Sequence, residues 1–121
     1  MKIDIHSHIL PGIDDGARTL EESVQLVREM SAWGFERITC TPHITKKFRN
    51  TQKIIKEKFD ILCNTLSDSG LNTELRMSAE YRLNPETWPE ILKSGSLMPI
   101  EDHYILMEFP INDPSEMGGL K

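Results

Sequence analysis

The sequence predicts an α/β fold of parallel strands joined by crossover helices, and three observations carry that prediction. Short strand-like apolar runs alternate along the chain with longer runs of helical period. Each helical run is closed by a glycine, at Gly34, Gly70 and Gly95. Histidines and glutamates recur where the strand-like runs stop, the end at which parallel α/β folds collect function. At 121 residues the chain is long enough for one domain with a core and too short for two.

The elements follow in order. Residues 2–6 read as a short strand entering His6-Ser7-His8. Thr19 opens the first helix, with Glu22 three residues later as a capping box, and Leu20, Val24, Val27 and Met30 recur at helical spacing. Glu36 to Cys40 is the second strand and runs straight into Thr41-Pro42-His43. After a basic loop containing Lys46, Lys47 and Arg49, a helix starts near Asn50 or Thr51, with Ile55, Phe59, Leu62 and Leu66 as its core stripe. Thr73 to Ala79 is the third strand, ending at Glu80. Asn84-Pro85 caps and opens a helix carrying Trp88, Ile91 and Leu92. Tyr104 to Phe109 is the fourth strand, with Glu108 at its end, and residues 110–121 show no periodicity.

Composition narrows the function. Hydrophobic residues make up 38% and charged residues 27%, ordinary for a soluble globular domain. A net charge of -5 argues against nucleic acid or an anionic membrane as the main partner. Phosphorylated substrates stay open, because bound divalent metals reverse the local sign. No run reaches the apolar length of a membrane span, and the N-terminus lacks the pattern of a signal peptide. With only Cys40 and Cys63, a reduced cytoplasmic protein is expected, both cysteines serving as small core residues.

The candidate chemistry begins with His6 and His8. Side chains alternate along an extended segment, so the two imidazoles project to one side and can grip one cation. Asp14 and Asp15 follow with hard oxygen ligands, although one of the pair suits the turn before Gly16. His43, Glu80 and Glu108 lie at or just past three further strand ends. Each has an ordinary alternative, a hydrogen-bonded strand cap for His43 and a solvated rim for the glutamates. Their joint placement on one rim favours a divalent metal centre of Mn, Fe or Zn. A cysteine-rich structural zinc is not expected, and His103, which precedes its strand, is left out of the site.

The segment from Ile3 to Ala17 with its Leu10-Pro11-Gly12-Ile13-Asp14-Asp15-Gly16 core, together with Thr41-Pro42-His43, Ala79-Glu80 and Met107-Glu108-Phe109-Pro110, resembles the PHP-domain (polymerase and histidinol phosphatase) superfamily. Within it the chain is most similar to the bacterial manganese-dependent protein-tyrosine phosphatases of capsular and exopolysaccharide biosynthesis. The resemblance implies that His6, His8, Asp15, His43, Glu80 and Glu108 are metal ligands, with a glutamate bridging. It implies hydrolysis of phosphotyrosine on the tail of a polysaccharide co-polymerase kinase, by attack of metal-bound hydroxide. Thiol phosphatase chemistry is excluded separately. It needs an arginine six positions after its cysteine, and Lys46 and Ser69 stand there instead.

The resemblance also sets an expectation about extent. The family fold is a distorted (β/α)7 barrel about twice this length, near the ~250 residues usual for barrels. Its later strands supply a further histidine, an Asp-x-His pair and phosphate-binding arginines. After Glu108 this chain has neither histidine nor arginine. Residues 1–121 are therefore expected to be a partial PHP domain, its N-terminal half of about four βα units, with unpaired edges that favour self-association. The rival readings are an inactive metal-binding remnant and a phosphatase of small monoesters such as histidinol phosphate. The Leu10 to Gly16 segment argues for the protein-phosphatase branch.

Overall fold

The strands are all parallel, and their order in space is their order in sequence. The computed structural model describes residues 1–86, 88–95 and 97–109. It contains β1 (Lys2–Asp4), α1 (Leu20–Ala32), β2 (Phe35–Cys40), β3 (His43–Ile44), α2 (Gln52–Asp68), β4 (Glu74–Met77), β5 (Glu80–Arg82), α3 (Trp88–Ser94) and β6 (Leu106–Glu108). One sheet has the order β1-β2-β4 and the other β3-β5-β6. The expected alternation of strand and helix is present. Residues 110–121, read as lacking periodicity, lie outside the described residues.

Two expected single strands are each divided. The run from Glu36 breaks at Thr41-Pro42 before β3, and the run from Thr73 breaks at Ser78-Ala79 before β5. Pro42 has no N–H to donate, so a ladder cannot pass through it unbroken. The register survives the break: Cys40 faces Met77 before it, and His43 faces Glu80 after it. Hydrogen bonds from Ser78 N to Cys40 O (2.8 Å) and from Glu80 N to Pro42 O (2.9 Å) carry the chains across. Glu80 thus opens a second short strand, where the sequence placed it at the end of the first.

The ends of the other elements also shift. β1 stops at Asp4, two residues before the expected end, because Asp4 Oδ1 accepts the His6 N–H at 3.0 Å. The chain nevertheless stays beside the next strand, with Thr41 N donating to Ser7 O at 2.8 Å. Asn84-Pro85 forms a turn ahead of α3, where Asn84 Oδ1 accepts Glu86 N at 2.9 Å. The last strand is shorter than the expected 104–109, since Tyr104 pairs with Ile100 in a separate bridge.

The helices form where their caps and stripes indicate. Thr19 Oγ1 accepts Glu22 N at 3.1 Å and Thr51 Oγ1 accepts Ile54 N at 3.2 Å. The capping box at Thr19 is one-sided, because Glu22 reaches past the cap to Arg18 N at 2.7 Å. α1 ends at Gly34, whose φ of 94° suits glycine. Val27 on α1 and Ile55, Leu62 and Leu66 on α2 are buried in one core with Ile38, Cys40 and Tyr81 from the strands and Ala79 from the break before β5. Ile9 and Leu10 join this core from the loop after His8, which anchors that loop to the domain. On α3, Trp88 and Ile91 pack against the core, while Leu92 is exposed.

Candidate metal centre

Four strand paths deliver the candidate ligands to one place. His6 and His8 follow β1 and flank Ser7, whose buried side chain turns the other way to bond Thr39 O at 2.7 Å. That alternation brings the two Nε2 atoms to 3.2 Å from each other. His43 opens β3, Glu80 opens β5 directly opposite it, and Glu108 closes β6. Along β5 the same alternation sends Tyr81 into the core and Glu80 to the opposite face.

Glu80 is the centre of the arrangement. Its Oε1 stands 3.3 Å from His6 Nε2, 3.1 Å from His8 Nε2 and 3.2 Å from His43 Nδ1. Yet Glu80 Oε1 and His43 Nδ1 are buried and have no hydrogen-bond partner among the described residues. The distances would allow bonds; the directions of the atoms do not. A buried carboxylate oxygen ringed by three imidazole nitrogens and left unbonded is costly unless a cation takes the convergent lone pairs. The donor set fits a divalent metal.

Three overlapping groups have ligand atoms within 4.8 Å of one another: His6, His8 and Glu80; His43, Glu80 and Glu108; and His8, Asp14, Asp15 and His43. Glu80 belongs to two of them, and His8 and His43 to two each. All six predicted ligands are therefore brought together. Asp15 is the most exposed and lies 3.4 Å from His43 Nε2. Glu108 places one oxygen 3.7 Å from His43 Nδ1 and the other 2.9 Å from Arg82. His103 lies in the turn before β6 and in none of the groups.

Asp14 has a different task from Asp15. Its Oδ2 meets His8 Nδ1 at 3.0 Å and accepts His43 N at 3.1 Å, while Oδ1 accepts Gly16 N at 2.9 Å. Burial pushes this carboxyl's pKa up, but the bonds from His8, Gly16 and His43 outweigh it and hold the group below its usual value. Facing an ionised carboxylate, His8 carries its hydrogen on Nδ1 and keeps the Nε2 lone pair for the centre. The Asp14 bond likewise raises the His8 pKa against the opposing effect of burial.

Several contributors were missed in the sequence. A Cβ on Gly16 would stand 2.1 Å from His8 O, so only glycine lets the loop return to His8. Ala17 N donates to His8 O at 3.0 Å and closes the loop. Asn50 Nδ2 donates to Ile13 O and His43 O at 2.9 and 2.8 Å, tying the acidic loop to β3. Phe48 stacks on His43 with centroids 5.7 Å apart. Asp14 before Gly16 carried a readable turn signal, and Arg82 two residues after Glu80 a readable strand period. Nothing in the sequence marked Asn50 or Phe48.

Both thiols are poorly suited to nucleophilic work. Burial pushes Cys40 strongly upward and Cys63 upward as well.

The chain also matches known proteins along most of its length. The capsular polysaccharide synthesis family CpsB/CapC matches residues 2–117. The chain is 31% identical over 113 residues to a putative tyrosine-protein phosphatase CapC of Staphylococcus aureus, covering 92% of this chain and 44% of that protein. It is 32% identical over 111 residues to tyrosine-protein phosphatase YwqE of Bacillus subtilis (91% and 44%). With CpsB of Streptococcus pneumoniae, also named a tyrosine-protein phosphatase, identity is 41% over 111 residues (91% and 46%). A crystal structure from the description of YwqE and CpsB as metal-dependent tyrosine phosphatases superposes with a TM-score of 0.79 at 33% identity. That match covers 89% of this chain and 44% of the other. The chain thus spans about half the length of the curated relatives it matches. A match along nearly its whole length, through every strand that carries a candidate ligand, places the chain in the CpsB/CapC family of capsular polysaccharide synthesis.

Proposed function

We propose that this chain carries the metal-binding part of a metal-dependent protein-tyrosine phosphatase. Its substrate would be phosphotyrosine on a tyrosine kinase of polysaccharide biosynthesis, in the cytoplasm. The observation that carries this reading is the unbonded Glu80 Oε1, buried among three imidazoles in a chain of this family. His6, His8, Asp15, His43, Glu80 and Glu108 would hold the divalent ions, with Mn the expected metal. The strand paths, parallel and in sequence order, are read as the first four βα units of a PHP-type (β/α)7 barrel.

When bound, divalent cations polarise the phosphoryl oxygens and lower the pKa of water toward neutrality. The chain's own residues do the rest. Asp14 fixes the His8 ring, and through the His43 N–H it fixes the backbone of the facing strand. Arg82 holds one oxygen of Glu108 and so aims the other at His43. Phe48 covers one side of His43 and limits its contact with water.

The test is hydrolysis of a phosphotyrosine peptide by the Mn-loaded chain, with and without chelator. Only slow, chelator-sensitive phosphate release is expected, because no arginine follows Arg82 in this chain to stabilise the transferring phosphoryl group. Release that persists in chelator, or a phosphocysteine trapped at Cys40 or Cys63, would overturn the metal mechanism.

A further inference from the structure

A cleft of ≈ 470 Å³ opens beside the metal centre, between the loop after β3 and α3. Its wall begins at Ile44, the residue after His43, and continues through Lys46, Arg49 and Asn50 to Glu90 and Ile91. Ile44 and Ile91 are its apolar lining, Lys46 and Arg49 its cations, and Glu90 its acid.

The charge here runs against the rest of the molecule. The chain carries -5 overall, yet Lys46, Lys47, Arg49 and Lys53 fall within eight residues that contain no acid. Lys46 is paired with Glu86. Lys47 and Arg49 have no carboxylate partner among the described residues. The loop is nevertheless held in place: Asn50 bonds His43 O and Ile13 O, Arg49 Nε donates to Lys46 O at 3.2 Å, and Lys47 Nζ lies 5.3 Å from the Phe48 ring centroid. Phe48 in turn stacks on His43. Uncompensated cations on a pinned loop, one ring away from a candidate ligand, form a surface built to meet negative charge next to the reacting group.

We propose that this cleft is a specificity subsite that binds acidic residues flanking the phosphotyrosine of a protein substrate. The inference rests on the phosphatase reading and adds the substrate's chemical class. Arg49 in the cleft wall and Lys47 on the loop beside it receive the flanking carboxylates, and Ile44 and Ile91 take the apolar part of the peptide chain.

The experiment uses the Mn-loaded chain and two fluorescent pentapeptides built around a non-hydrolysable phosphonate analogue of phosphotyrosine. One is flanked by glutamates and the other by serines. The acidic peptide is expected to bind about fivefold more tightly at low salt, with the ratio falling toward one at high salt. In the Lys47→Gln/Arg49→Gln double variant the ratio should fall to near one at all salt concentrations. Charge conservation, Lys47→Arg with Arg49→Lys, should restore it. Equal binding of the two peptides by the unaltered chain would overturn the subsite. So would a ratio that survives the double variant. Anionic phosphatidylglycerol vesicles that bind through Lys47 and Arg49, while the peptides are not discriminated, would overturn it in favour of a membrane surface. Because the analogues are not cleaved, these outcomes are independent of the hydrolysis test, where failure would count against the phosphatase reading alone.

Discussion

At the scale of single residues, the centre depends on side chains that orient its histidines as much as on the histidines themselves. Asp14 shows this best, since one carboxylate sets His8, the Gly16 turn and the His43 backbone. Asp14→Asn keeps the shape but can offer a hydrogen to His8 Nδ1 and so invite the wrong tautomer. Loss of such an outer partner typically costs 10–100-fold in metal affinity. Isothermal titration with Mn should show a loss of that order. A second prediction concerns Gly16: a Cβ there would meet the His8 backbone at 2.1 Å, so Gly16→Ala must displace the His8 strand end. Weaker Mn binding and a lower urea midpoint are expected together. Replacing His6 and His8 by alanine should abolish most metal binding, whereas His103→Ala should leave it intact, read by plasma spectrometry of the metal content.

At the scale of elements, the helices are ordinary and the strands are not. Both long helices start at a threonine whose hydroxyl accepts an N–H of the first turn. Thr51→Ala should cost about 1 kcal/mol in urea unfolding, and Thr19→Ala about the same. Neither should alter the stoichiometry of metal binding, because neither threonine belongs to a ligand group. The strands are short because the break at Thr41-Pro42 and its counterpart at Ser78-Ala79 divide two of them. The division places His43 and Glu80 opposite each other at the start of a new ladder. Backbone pairing therefore fixes their separation, and fixed backbone is what a preorganised ligand pair requires.

At the scale of the whole molecule, the two outer strand paths have no strand on their outer sides among the described residues. β1 and β6 are edges, and Ile3, Ile5 and Phe109 lie exposed on or beside them. An unpaired edge with apolar neighbours invites another strand. The isolated chain is expected to self-associate in sedimentation velocity at micromolar concentration, above its monomer mass of 13.9 kDa. Ile5→Lys should return it toward monomer by placing a charge on the edge. A sharp monomer boundary for the unaltered chain would show that the edges are covered from within.

The sequence by itself determined the α/β class, the caps of the two long helices, the helix stripes and the identity of the residues that converge. These are properties of local period and local chemistry, legible wherever a single element decides the outcome. His6 and His8 were readable because alternation along an extended segment is local, and the glutamates because they stand at the ends of apolar runs. The division of two strands was not legible, although Pro42 hinted at one, because the second break exists only where Ser78 and Ala79 face Thr41 and Pro42 across the sheet. The family resemblance favoured Asp15 over Asp14 as a ligand, but only the tertiary structure showed what each carboxylate bonds to, since as neighbours in a sequence both suit a ligand or a turn. Asp14 turns inward to three hydrogen-bond partners, and Asp15 is left facing His43 with its oxygens free for a cation.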